Sequence, residues 1–310
     1  MEQAHEKYDR LIARCKSVEP TPTAVAHPCD EASLRGAIDA SRVGLIAPIL
    51  VGPAARIREV ASNSGLDVSG LRIVEAAYSQ DSARKAVELV RNAEAEALMK
   101  GSLHTDELMA EVVNRETGLR TARRISHCFV MEVPGHSEAL IVTDAAVNIA
   151  PTLKDKVDIV QNAIDLMRDL GATEIRVAIL SAMEMVNPDV PSTLEAAALC
   201  KMADRGQITG ALVDGPLALD NAISPEAARI KNIGGLVAGQ ADILVVPDLE
   251  AGNMLAKSLS FLMDADSAGI VLGSRVPITL TSRADSVQSP SLRARWRRWS
   301  RTAAGRQPQR

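Results

Sequence analysis

The sequence predicts an α/β fold with mostly parallel sheets and helices on both faces. Three observations carry that expectation. Short aliphatic runs alternate with longer segments of helical period along most of the chain, the pattern of successive β-α-β units. The runs are continuous rather than alternately apolar and polar, as expected of strands buried on both faces. Apolar residues make up 46% of the 310 residues and aromatics only 2%, so the core must be built from Ala, Val, Leu, Ile and Met. That apolar share also excludes a disordered chain.

Strands are expected at 23–27, 45–52, 71–75, 97–100, 176–181, 210–213, 243–247, 269–272 and 278–281. The clearest helix covers 153–170. Leu153, Val157, Val160, Ile164 and Met167 recur at spacings of four, three, four and three, which makes one apolar stripe. Thr152 can cap its start, Asp155 suits the N-terminal partial charge, and Gly171 supplies a left-handed stop. Two more helices are expected over 82–95 and over 193–205, the latter ended by Gly206. One region breaks the alternation: 125–133 and 139–147 are both strand-like and are joined by Pro134-Gly135-His136-Ser137, which predicts an antiparallel hairpin. A second domain begins there. The expected organisation is a first α/β domain of 1–129 plus 266–290, an inserted domain of 130–265, and a tail of 291–310, with no internal repeat.

Charge and cysteines narrow the function classes. Net charge is −4, but 291–310 holds seven Arg and no acid, which leaves −11 on the first 290 residues. An acidic body argues against nucleic-acid binding. Cys15, Cys29, Cys128 and Cys200 form no CxxC pair, and His5, His27, His104, His127 and His136 have no metal spacing, so no metal site is expected. The N-terminus is charged from Glu2 and the apolar run 43–51 is too short to span a bilayer, which points to a cytoplasmic protein with no membrane partner.

Four predicted strand ends share one chemistry. In open α/β sheets, ligands bind at the carboxyl ends of strands. Met99-Lys100-Gly101-Ser102-Leu103-His104-Thr105-Asp106 runs from a strand into a charged, hydroxyl-bearing loop. Lys100 and loop amides suit a phosphate, and His104 suits a donor or base. Thr279-Leu280-Thr281-Ser282-Arg283-Ala284-Asp285-Ser286 does the same, with Arg283 offering a fork for phosphate. Val213-Asp214-Gly215-Pro216 and Pro247-Asp248-Leu249-Glu250-Ala251-Gly252-Asn253 are the other two. Each alone also reads as ordinary capping or a turn. Together they suggest a phosphate-rich ligand. The absence of GxxxxGK[ST] and GxGxxG weighs against P-loop NTPases and common NAD enzymes.

The segments MKGSLHTDELM (99–109), GLRTARRISH (118–127), TDAAVNIAPTLKDKVDIVQNAIDLMRDLG (143–171), GALVDGPLALDNAIS (210–224), PDLEAGNMLAK (247–257) and VPITLTSRADS (276–286) resemble the phosphate acetyl/butyryltransferase family, in particular the branch often fused to an enoyl-CoA hydratase domain. The resemblance implies two three-layer α/β domains of the isocitrate/isopropylmalate dehydrogenase-like fold with the active-site cleft between them. It implies reversible acyl transfer between coenzyme A and phosphate, no permanently bound cofactor, acyl-CoA and phosphate as substrates, and a homodimer. It assigns Ser282 and Arg283 to catalysis. The substrate-binding set it suggests is Lys100, Gly101, Ser102, His104, Thr105, Asp214, Gly252, Asn253 and Ser286.

This chain also departs from the family pattern. The acid seven residues after the serine is replaced by Ser289, and Asp285 is the nearest acid and the candidate base. An Arg common after the His-Thr motif is replaced within Leu108-Met109-Ala110. That phosphate contact is either missing or supplied by Lys100, Arg120 or Arg124. The tail LRARWRRWSRTAAGRQPQR holds both tryptophans and reads as a replaced or frameshifted end, or as a basic arm for an acidic partner. Two other functions stay open: a catalytically weakened binding protein, and a decarboxylating dehydrogenase, which would need a set of metal-binding aspartates.

Overall fold

The computed structural model describes residues 19–136 and 139–280. Its elements begin with β1 (Thr21–Ala26), α1 (Glu31–Arg42), β2 (Ile46–Gly52), α2 (Ala54–Asn63), β3 (Arg72–Glu75), α3 (Ser79–Arg91), β4 (Ala97–Lys100) and α4 (Thr105–Val113). They continue with β5 (Ser126–Glu132), β6 (Leu140–Thr143), α5 (Leu153–Asp169), β7 (Arg176–Leu180), α6 (Pro191–Asp204) and β8 (Leu212–Leu217). The last are α7 (Leu219–Ile223), α8 (Pro225–Ile230), β9 (Ile243–Val245), α9 (Leu249–Leu262), β10 (Asp266–Leu272) and β11 (Ile278–Leu280). They fall into two compact units, one within Met1–Arg123 and Ala268–Arg310, the other within Arg124–Ser267.

In the first unit the strand order is β3-β2-β1-β4-β11-β10. All neighbours are parallel except β10 and β11. Successive side chains of β1 go to opposite faces. Val25 joins Leu50 and Met99 in a cluster with Leu34, Ala37 and Ile38 of α1 and Ile57, Val60 and Ala61 of α2. Ala24 and Ala26 face the other way, where α3 packs on β1, β2 and β4. Small residues on that face let α3 lie close to the sheet.

In the second unit the order is β5-β6-β9-β7-β8, with β5 antiparallel to β6 and the rest parallel. The predicted hairpin is therefore present. Leu140, Val142, Ala178, Leu180 and Leu244 face α7, α8 and α9 through Ala222, Ala228 and Ala256. The opposite face is covered by α5 and α6. Helix α5 ends one residue short of its predicted limit. Thr152 Oγ1 accepts from Asp155 N at 3.3 Å, Asp155 Oδ2 accepts from Thr152 N at 3.0 Å, and Gly171 takes φ 101°. Its buried Ile159, Val160, Ile164 and Leu166 each contribute about 1.5–3 kcal/mol by leaving water.

Several predicted bounds shift: β6 ends at Thr143 rather than 147, α3 at Arg91 rather than 95, and β10 begins at Asp266 rather than 269. Two further shifts have a local cause. Helix α3 begins at Ser79 rather than Ser82, because Asp81 Oδ2 accepts from Ala77 N at 3.0 Å and organises an earlier first turn. Strand β8 starts at Leu212 and runs on to Leu217 through Gly215-Pro216, which read as a turn. It is the edge strand of its unit, and its register against β7 shifts between Ala178 and Leu180, where Gly215-Pro216 falls; edge strands and bulges both tolerate a residue without an N–H.

Candidate functional site: two strand-end clusters

At the carboxyl edge of the first unit, β1, β4 and β11 lie side by side. Gly101 N donates to Ala26 O at 2.8 Å, and Ser102 N and Oγ both donate to His27 O, at 2.9 and 2.8 Å. A Cβ on Gly101 would stand 2.4 Å from Ala26 O and 2.5 Å from His27 O, so only glycine lets the β4 loop close on β1. Lys100 is 6% exposed, and its Nζ donates to Gly101 O at 3.1 Å and Leu103 O at 3.0 Å. Hydrogen bonding of this kind is what allows an ammonium to stay in a buried place.

The chain then enters α4 at His104-Thr105. His104 N donates to Glu107 Oε2 at 2.9 Å, and Ser79 Oγ donates to Glu107 Oε1 at 2.7 Å. The Ser79 hydrogen bond is the main reason the Glu107 carboxyl sits below its usual pKa. Lys100, Gly101, Ser102, His104 and Thr105 are thus one continuous strand-end loop. Beside it, β11 pairs in parallel with β4, Ile278 with Leu98 and Thr279 with Met99. It ends at Leu280. Ser282, Arg283, Asp285 and Ser286 follow in the sequence and lie outside the described residues, as does the tail 291–310. Arg120 is exposed and forms a backbone bridge with Ser274.

His27, which no sequence motif singles out, closes β1. Its φ is 55°, a left-handed conformation uncommon outside glycine. Ser82 Oγ donates to Tyr78 O at 2.9 Å and lies 3.0 Å from His27 Nδ1. With the hydroxyl proton used on Tyr78, Nδ1 must be the donor. Burial lowers the His27 pKa, against Glu107 and Asp30, which raise it. Burial therefore favours the neutral imidazole.

The second unit has its own cluster, built where β6 and β9 end and β5 begins. Asp144 is 2% exposed. Its Oδ1 accepts from Ala146 N and Val147 N at 3.0 Å each, and its Oδ2 from Asn148 N at 3.2 Å and Asn148 Nδ2 at 2.5 Å. Asn148 Nδ2 also donates to Ile125 O at 2.9 Å, while Asn148 Oδ1 accepts from Arg124 Nε at 2.7 Å. The first turn of α9 closes on the same loop. Asn253 Nδ2 donates to Ala145 O at 3.3 Å, and a Cβ on Gly252 would meet Asp144 O at 2.8 Å. Arg124, Gly252 and Asn253 are therefore brought together by the 144–148 loop, whose Asp144 and Asn148 were not singled out in the sequence. Asp214 is a correction. It lies inside β8 opposite Ala178, not at a strand end, and its Oδ1 accepts from Gly215 N at 2.8 Å.

Among the described residues no group of three or more His, Cys, Asp or Glu is placed to hold a metal ion, and no helix is long and apolar enough to cross a membrane.

The family described as phosphate acetyl/butaryl transferase matches residues 76–290. The chain belongs to this family. It is 64% identical over 283 residues to a phosphate acetyltransferase of Rhizobium meliloti, covering 91% of this chain and 90% of the relative. It is 43% identical over 281 residues to a phosphate butyryltransferase of Clostridium acetobutylicum, covering 91% and 93%. A crystal structure of a branched-chain phosphotransacylase from Enterococcus faecalis superposes with a TM-score of 0.74 at 31% identity, covering 92% of this chain and 98% of that one. The predicted α/β class is thus the fold of solved family members. All six segments on which the resemblance rested, from 99 to 286, fall inside the matched region.

Proposed function

We propose that the chain is an acyltransferase that moves a short acyl group reversibly between coenzyme A and inorganic phosphate, giving acyl phosphate and free CoA. Coenzyme A is a substrate here, not a resident cofactor. The observation that carries the reading is the carboxyl edge of the first unit. There the buried, hydrogen-bonded Lys100 stands on β4 next to β11, and β11 leads within two residues to Ser282-Arg283.

In the direction of acyl-CoA formation, the CoA thiol loses its proton and its sulfur attacks the acyl-phosphate carbonyl. The carbon–oxygen bond to phosphate then breaks, and phosphate leaves with the electron pair. Ser282 donates a hydrogen bond to the carbonyl oxygen as it gains charge. Arg283 holds the phosphoryl oxygens, and Asp285 takes the thiol proton. Lys100 defines the anionic end of the site, with His104-Thr105 opening α4 beside it; the Gly101 and Ser102 amides are spent on Ala26 O and His27 O and fix the loop rather than the ligand. Within the second unit, Gly252, Asn253 and Arg124 are the candidate ligand-binding residues. The enzyme acts as a homodimer in the cytoplasm.

The test starts from acetyl phosphate or butyryl phosphate plus CoA and follows thioester formation. Turnover with at least one of the two, reduced about a hundredfold or more by Asp285→Asn, is expected, within the usual range for a positioned base. Binding of CoA with no thioester formed from either donor would replace this reading with a non-catalytic binding protein. Full turnover by Asp285→Asn would remove Asp285 from the mechanism and leave the reaction standing.

A further inference from the structure

Arg124 is anchored more elaborately than a surface arginine requires. Its backbone N donates to Asp158 Oδ2 at 2.8 Å and its backbone O accepts from Asn162 Nδ2 at 3.0 Å. Its Nε donates to Asn148 Oδ1 at 2.7 Å, and its Nη1 lies 3.5 Å from Asp155 Oδ1. The side chain nevertheless remains 51% exposed. Both ends of the residue are fixed, while the outer guanidinium faces solvent.

The amide that fixes Nε is itself over-determined. Asn148 is 3% exposed. Its nitrogen is taken by Ile125 O and by the Asp144 carboxylate, so its oxygen has only one orientation left, toward Arg124. Asp144 in turn accepts three backbone N–H groups of the loop that carries Asn148. The result is a chain from carboxylate to amide to guanidinium. The middle member is neutral, which matters electrostatically. A carboxylate placed directly on Nε would offset the arginine's charge, whereas an amide oxygen orients the fork and leaves the charge in place. Among the described residues the carboxylate near Nη1 is Asp155, a longer 3.5 Å ion pair whose carboxylate is shared with Thr152 N at 3.0 Å and Thr152 Oγ1 at 2.8 Å.

We propose that Asp144 and Asn148 are positioning residues that aim the Arg124 guanidinium at a phosphoryl oxygen of a substrate. The inference rests on the acyl-transfer reading. Inorganic phosphate and the phosphate groups of CoA offer the same oxygens, and separate measurements distinguish them. Arg124 lies two residues before β5, whose antiparallel pairing with β6 sets that end at the carboxyl edge of the unit's parallel strands, the edge where ligands of such sheets bind.

The test uses the purified full chain and the variants Arg124→Ala, Arg124→Lys, Asn148→Ala and Arg124→Ala/Asn148→Ala. KM for phosphate, KM for acetyl-CoA and kcat are measured, together with calorimetric binding of phosphate and of CoA. Arg124→Ala raises one of the two KM values about tenfold or more and changes kcat less. Arg124→Lys, which keeps a charge but not the fork, recovers only part of the loss. Asn148→Ala shifts the same KM in the same direction. The double variant is no worse than Arg124→Ala, because the two act as one unit. Unchanged binding of both ligands by Arg124→Ala overturns the proposal, as do additive losses in a folded double variant. If Asn148→Ala does not fold, the Lys variant decides: full recovery of KM by lysine means orientation is immaterial. A wild type that binds both ligands without turnover would sink the acyl-transfer reading alone, since the binding comparison still judges Arg124.

Discussion

Burial sets the chemistry of three thiols. Desolvation raises Cys29 to about 11 and Cys128 and Cys200 to about 12. Only the thiolate is nucleophilic, so at pH 8 on the order of one Cys29 in a thousand is reactive. None of the three suits an acyl-enzyme intermediate, in keeping with direct transfer between substrates. Peptide mapping after iodoacetamide treatment at pH 8 should find Cys29, Cys128 and Cys200 labelled far more slowly in the native protein than in urea. Fast native labelling of Cys29 would show that its burial is overstated.

His127 titrates in the opposite sense. It is 1% exposed, its Nδ1 has no hydrogen-bond partner among the described residues, and its ring meets Phe129 edge-on at 4.4 Å. Burial drives its pKa well below 6.5, only partly opposed by Asp144. The native imidazole is therefore neutral while the unfolded one gains a proton below pH 6.5. Stability contributed by this group is present above pH 6.5 and is lost as pH falls toward the depressed native pKa. Thermal unfolding of the wild type between pH 7 and 5 should fall more steeply than that of His127→Leu. Parallel slopes would assign the acid sensitivity elsewhere.

At the scale of elements, α5 shows what a sequence conveys well. Its stripe, its Thr152 cap and its glycine stop are local and were readable in the sequence, whereas the reciprocal bond from Thr152 N to Asp155 Oδ2 was not. Thr152→Ala removes the oxygen that accepts Asp155 N and should cost about 1 kcal/mol, read as a lower urea midpoint. No shift would mean that Asp155 alone satisfies that helix end. The end of β8 was not legible, because Gly215-Pro216 carries a turn signal locally and its place at an irregular point of the sheet edge overrides it. The Asp144–Asn148–Arg124 chain was not legible for a similar reason. Its members lie 4 and 24 residues apart and meet only because β5 pairs with β6. His27 was hidden as a single residue whose meaning depends on Ser82, 55 residues away.

At the scale of the whole molecule, six ordered segments identified the family before any coordinate was known, while no single motif would have done so. The strand-end loop from Lys100 to Thr105 was correctly assembled from sequence because it is contiguous. The segment Ser282–Asp285 lies outside the described residues, so its role rests on the family resemblance and on β11 leading to it. The decisive measurement follows free CoA and acetyl phosphate together when the purified chain is given acetyl-CoA and inorganic phosphate. Reversible acyl transfer predicts that CoA appears only when phosphate is present, with one acetyl phosphate formed for each CoA released. CoA release without acetyl phosphate, or no phosphate-dependent release from either acetyl-CoA or butyryl-CoA, would contradict it.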